Sequence, residues 1–305
     1  MSLFHIVHLK EIIRSVALRL GFELVRRPVK GRQPLPLAEG PAGSLLSGSN
    51  AGAYPFNVPV ERLSWDNGFS LHPDGWNPYV QTVRAYLAGE CDSYAGSPLE
   101  AFYRSFRPDT AAAYLGPAFS ADSPLHTIPA QAYILPWSLL SPEQRLRQRR
   151  RFNREEEQLS GGLGGLGAGG AGAKAGAQHG VNKMGPISPA KGQVEFRRLT
   201  SLADSIRQKG YRRELVKDIE VAVLQHKDEW LYVTASGFHR AAVLAALGFE
   251  QIPVLPKPPL IINSDVLAGA PALRGGFWTA DDLQLYFDFL YAERGRRRAG
   301  ALGLL

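Results

Sequence analysis

The chain has 305 residues, 45% of them apolar and 21% charged, a composition that fits a globular protein and excludes a disordered one. Its single cysteine, Cys91, excludes an internal disulfide and any multi-cysteine zinc or iron–sulfur centre. Against 28 Asp and Glu stand 35 Lys and Arg, and the net charge of +7 favours anionic partners without choosing among nucleotides, nucleic acid, phosphorylated glycans and lipid surfaces.

Leu9, Ile12, Ile13, Val16 and Leu20 recur at helical spacing with Lys10, Arg14 and Arg19 among them, so residues 1–30 are expected to form a basic amphipathic leader helix. The charges break the apolar run too early for a spanning helix, and no small-residue cleavage site follows it. Two readings stay open: a helix docked on the protein's own core, or a peripheral contact of residues 1–24 with anionic lipid at the inner face of the membrane. The chain itself is expected to be cytoplasmic.

Residues 31–158 are expected to be irregular, mostly helical and rich in aromatic side chains. Pro, Gly and Ser dominate residues 31–58, which read as an extended arm or loop. Helices are predicted over residues 77–88 and near 97–106, the second capped by Ser97 with Glu100 completing a capping box. A third short helix covers residues 111–115, closed by Gly116-Pro117. Asp66, Asn67, His72, Asp74, Trp76, Asn77, Asp92 and Tyr94 form a dense polar and aromatic set that suits either sugar recognition or a loop-rich core. Residues 141–157 read as a charged, solvated helix in which six arginines precede Glu155, Glu156 and Glu157.

Residues 159–180 read as a flexible insertion: from Gly161 to Gly180, 10 of 20 residues are Gly and 5 are Ala, and such side chains build no core. From 181 to 260 the punctuation is that of a small mixed α/β unit. Leu199, Leu202 and Ile206 mark a helix closed by Gly210. A β-rich run follows at residues 219–224, then a turn at His226, a strand over 230–235, a helix over 239–247, and a short strand at Ile252-Pro253-Val254. In residues 261–305, Thr279 with Asp282 forms a possible capping box for a last helix, ahead of a tail with Arg294, Arg296, Arg297 and Arg298. Of the histidines, His226 is read as a solvent-exposed turn residue.

Chemistry concentrates at Ser236-Gly237-Phe238-His239-Arg240, between a strand and a helix. Gly237 allows a tight turn, and the first amides of the helix lack internal acceptors and can receive an oxyanion. Arg240 can add a forked donor and His239 a donor or general acid. Ser188 and Lys191, in a short connection before the first core helix, could reach phosphates, or be an ordinary turn serine and exposed lysine. Helical geometry prevents Arg197 and Arg198 from both facing one site. The chain has no His-Glu-x-x-His helix, no Gly-Lys-Ser/Thr phosphate loop and no Gly-x-Ser-x-Gly elbow.

The order of these elements, the Gly237-Phe238-His239-Arg240 box and the Ile252-Pro253-Val254 exit resemble the nucleotide-binding core shared by ParB partition proteins, sulfiredoxins and free-serine kinases. The resemblance covers about 70 residues and implies an α+β fold: a small mixed-sheet ParB/sulfiredoxin-like core beside the irregular N-terminal region. Phe238 occupies the place of the sulfiredoxins' catalytic cysteine, which argues against sulfinic acid repair. Tyr211-Arg212-Arg213-Glu214 replaces the partition proteins' Gln-Pro pair, and only 51 residues follow Val254, too few for their DNA-binding domain, so DNA is not the expected partner. What remains is similar to the His-Arg subgroup of small-molecule kinases, and to bacterial proteins encoded with surface-glycan genes. The resemblance implies ATP or ADP with Mg2+, bound by Ser188, Lys191, Ser236, Gly237, His239 and Arg240. Glu195 and His239 would be the catalytic residues, with Glu195 as base or magnesium ligand; the metal ligands are otherwise unassigned. The acceptor would be a small hydroxyl metabolite or a surface-glycan precursor. A non-catalytic nucleotide-binding or scaffold role in envelope polysaccharide assembly, and a ParB-like role on nucleic acid, remain as alternatives.

Overall fold

A computed structural model describes residues 37–41, 54–159, 179–213 and 217–305. The expected leader helix and nearly all of the Gly/Ala insertion lie outside these residues. The fold is α+β, a mixed five-stranded sheet with several helices.

Strand β1 (Phe56–Pro59) and the short β2 (Leu63–Ser64) come first. Three helices then follow the predicted spacing: α1 (Pro78–Leu87), α2 (Pro98–Ser105) and α3 (Ala111–Leu115). Each begins with a polar cap. Asn77 Oδ1 accepts from the amides of Tyr79 and Val80, Ser97 Oγ from Glu100, and Thr110 Oγ1 from Ala113. The box expected at Ser97 closes differently, because the Glu100 carboxylate takes the amide of Gly96 instead of that of the cap. The arginine-rich helix α4 is Pro142–Leu159.

Helix α5 (Pro189–Lys209) starts ten residues before the apolar stripe that predicted it, since Ser188 caps it and Pro189 supplies a first residue whose missing N–H costs nothing. Strands β3 (Ile219–His226) and β4 (Glu229–Ser236) form a hairpin, and α6 (Phe238–Ala246) follows immediately. Strand β5 is Gln251–Asn263, far longer than the Ile-Pro-Val exit. Its prolines read as breakers, yet the parallel ladder with β3 passes Pro256, opposite Val221, by shifting register before Val223. Helices α7 (Pro271–Arg274), α8 (Ala280–Ala292) and α9 (Arg296–Ala301) end the chain, and the capping box at Thr279 and Asp282 is complete.

The sheet order is β1-β5-β3-β4-β2. Both edge strands therefore come from residues 56–64, inside the region expected to be helical, and the sheet extends beyond the unit read at 181–260. β1 runs antiparallel to β5 and β2 parallel to β4. On this sheet α1 packs against α6, α2 and α5, and α5 against α6. Trp65, Phe69, Tyr79, Phe102, Tyr103, Tyr114 and Tyr133 are fully buried beside these helices. Of the two readings of the polar and aromatic set, the core reading describes Asp66, Asn67, Trp76, Asn77 and Tyr94, which are buried. No described helix is long and apolar enough to cross a membrane.

Candidate functional site

Helix α5 presents Lys191, Glu195 and Arg198 on one face, four and three residues apart. Helix α6 brings His239 to the same place. Glu195 is 1% exposed; its Oε2 lies 2.6 Å from His239 Nε2 and its Oε1 accepts from Arg198 Nη1 at 2.8 Å. Helix register thus selects Arg198 rather than Arg197. Burial by itself would raise the Glu195 carboxyl, but His239, then Arg198 and Lys191, outweigh it and hold the group below its ordinary value. The His239 ring lies 4.9 Å from that of Tyr79, centroid to centroid, and Tyr79 shares a 3.2 Å hydroxyl contact with Tyr103. Burial, and then the charge of Glu195, push the Tyr103 phenol up. Tyr79 and Tyr103 were not singled out in the sequence as site residues, whereas Arg198 was weighed there against Arg197.

Ser188 and Lys191 are not in a free connection. Ser188 Oγ accepts from the amide of Lys191 and meets His179 Nδ1 at 2.8 Å, and the buried Lys191 ammonium donates to the Gly180 carbonyl at 2.9 Å. Both side chains tie residues 179 and 180 to the first turn of α5. One residue further, an added Cβ on Gly192 would stand 2.2 Å from Tyr94 Cζ, so the tyrosine ring crosses the helix where no other side chain fits.

Gly237 ends β4 with φ +79°, a left-handed conformation that glycine adopts without strain, and no side chain caps the helix behind it. Arg240 turns to the other flank of this turn. Its Nη2 donates to the Asp218 carbonyl at 3.4 Å, and its Nη1 is buried with no partner among the described residues. The structure therefore joins Glu195 with His239 and Lys191, and sends Arg240 toward β3. His226, expected to be exposed, is half-buried against Phe287 and Tyr291, because the hairpin end folds onto α8.

A second buried carboxylate lies close by. Asp66 accepts from Tyr114 at 2.8 Å, Tyr133 at 2.5 Å and Lys183 at 3.0 Å, while the Lys183 ammonium sits 3.8 Å from the centre of the Phe238 ring. The cluster thereby braces the residue preceding His239. A 90 Å³ cleft lined by Arg62, His72, Tyr291 and Arg294, among others, contains none of the residues expected to bind nucleotide or to catalyse. Among the described residues, no group of three or more His, Cys, Asp or Glu side chains is placed to hold a metal ion. No family model, curated protein or solved structure matches the chain.

Proposed function

We propose that the protein is a nucleotide-dependent phosphotransferase acting on a small hydroxyl metabolite or a surface-glycan precursor, built on a ParB/sulfiredoxin-like core. The observation that carries this reading is the 2.6 Å contact between Glu195 and His239 at the first turn of α6. With both oxygens engaged and its acidity increased by its neighbours, Glu195 is a poor base. It acts by orienting His239: an N–H at Nε2 donates to the carboxylate and leaves the Nδ1 lone pair to take the proton of an acceptor hydroxyl. Glu195 then balances the imidazolium that forms.

The Gly237 turn and the first amides of α6 suit phosphate oxygens, and Arg240 Nη1, without a partner among the described residues, fits an anion on the β3 side of that turn. Ser236, Gly237, His239 and Arg240 would hold the nucleotide; Ser188 and Lys191 support the first turn of α5. A bound ATP would supply the phosphoryl group, and its magnesium, which needs only one or two protein carboxylates beside phosphates and water, would neutralise charge on it.

The test is nucleotide turnover with envelope sugars and small hydroxyl metabolites as acceptors, run beside Glu195→Gln and His239→Asn. Acceptor-dependent turnover that collapses in His239→Asn supports the reading. A second reading, a nucleotide-binding scaffold of envelope assembly, is favoured by the full engagement of Glu195. Nucleotide binding without turnover for any acceptor would select it.

A further inference from the structure

Around Asp218, between the end of α5 and the start of β3, three buried hydrogen-bonding atoms have no partner among the described residues: Tyr211 Oη, Arg213 Nη2 and Arg240 Nη1. Such orphans are rare in folded proteins, since each forfeits a hydrogen bond to water without replacing it. Two belong to guanidinium groups that are each held at one other nitrogen. Arg213 donates through Nε to the Asp218 carboxylate at 2.5 Å, and Arg240 donates through Nη2 to the Asp218 carbonyl at 3.4 Å. One residue thus anchors both forks, one by its side chain and one by its backbone, and leaves a nitrogen of each uncommitted.

The three groups belong to one electrostatic neighbourhood. Burial raises the Tyr211 phenol, with Arg240, Asp218 and Arg213 as its charged neighbours; burial lowers Arg240, with Tyr211, Asp218 and Glu220 around it. The Glu220 carboxylate is occupied by Lys257 at 3.0 Å. Gly237 adjoins the cluster, for a Cβ there would stand 2.9 Å from Arg240 Nη2 and 3.1 Å from Ile219 Cγ1. Two guanidinium groups and a phenol gathered around Asp218, whose carboxylate Arg213 engages, form a donor-rich seat.

We infer that Tyr211, Arg213 and Arg240 form a binding site for a phosphate group, held by two guanidinium nitrogens and a phenolic hydroxyl on the β3 side of the Gly237 turn. The site shares Arg240 with the proposed nucleotide site, but it requires no turnover, and binding without catalysis leaves it standing. Its ligand is a phosphate ester or diphosphate, because a tetrahedral oxyanion accepts from several donors at once, which a single carbonyl cannot do.

The experiment is isothermal titration of the full chain with inorganic phosphate, pyrophosphate and ATP at constant ionic strength, with circular dichroism confirming that each variant is folded. Saturable binding of pyrophosphate is expected. Arg213→Gln and Arg240→Gln should each weaken it about tenfold or more, while the remote Arg147→Gln should not. Tyr211→Phe, which removes one oxygen and leaves the packing, should weaken it severalfold. Displacement of pyrophosphate by ATP would identify the anion as a nucleotide's phosphate; independent binding of the two would identify a separate phosphate ester. Absence of saturable binding of all three anions, or unchanged affinity in Arg213→Gln, would overturn the site and leave the three atoms to ordered water.

Discussion

Glu195 Oε2 and His239 Nε2 meet at 2.6 Å although 44 residues separate them, and the carboxylate is almost completely buried. A pair held this closely acts as a unit. His239→Asn should lower the turnover proposed above by about 10²–10⁴, the usual contribution of a positioned proton acceptor. Glu195→Gln should lower kcat with little change in the KM for nucleotide, and the double variant should be no slower than His239→Asn. Additive losses, measured as kcat/KM for the three variants, would separate the two residues and dismiss the dyad.

Acid should weaken the fold through two carboxylates. Asp66 is buried, and burial raises it, but Lys183 and the hydroxyls of Tyr133 and Tyr114 lower it further, to below its ordinary 3.8; Glu195 is likewise held below 4.5. A depressed native pKa means that the unfolded chain binds the proton more readily. The stabilisation is present above those ordinary values and is lost as the pH falls through the native ones. Urea unfolding at pH 7 and at stepwise lower pH should show wild type losing more stability below about pH 4.5 than Asp66→Asn or Glu195→Gln, whose own penalty at pH 7 is about 3–5 kcal/mol, for a cation left without its partner. Parallel pH curves for all three proteins would contradict this.

Arg298 reads in the sequence as part of a basic tail, and the structure turns it inward. Its guanidinium donates to the carbonyls of Ala113 at 2.6 Å, Tyr114 at 2.7 Å and Leu115 at 3.1 Å, and to that of Asn67, so that it closes the C-terminal end of α3 from 183 residues away. Burial lowers its pKa to about 10, still well above neutrality. Arg298→Met should cost about 2–4 kcal/mol, because the carbonyls lose a charged donor. Arg298→Lys should recover only part, since an ammonium cannot fork across several acceptors. Denaturant midpoints decide between this and a solvated arginine, for which both changes would be nearly neutral.

Gly192 and Tyr94 should be energetically coupled. Gly192→Ala puts a methyl group inside the Tyr94 ring and should destabilise the protein by about 1–3 kcal/mol, as overpacking does. In a Tyr94→Ala background the same change should cost close to nothing, because the space is already open. A double-mutant cycle by thermal unfolding measures the difference, and strict additivity would mean that the ring does not constrain the helix.

Local signals carried much of the fold. Asn77, Ser97, Thr110 and Thr279 are capping residues because a side-chain oxygen can satisfy amides two or three residues ahead, and that chemistry is written within a few positions. The turn at Gly237 was legible for the same reason, with a β-rich run before it, an Ala- and Leu-rich helix after it, and a glycine where φ is positive. Glu195 and His239 could be named as chemically suited residues, but their contact could not be read.

What the tertiary structure alone decided is pairing at a distance. Periodicity says which face of an element is covered and not what covers it, so nothing near residues 56–64 announced that they would form both edges of a sheet centred on β3. Nothing in the run of four arginines near the C-terminus separated Arg298 from its neighbours, because only the docking of α9 brings it to the carbonyls of α3. Tyr211 and Arg213 carry no site role in the sequence and Arg240 reads there as a donor to a nucleotide at the Gly237 turn; only the folded chain sets all three around Asp218. Hydrogen-bond satisfaction depends on the three-dimensional neighbours of each atom, and a sequence specifies those only once the chain has folded.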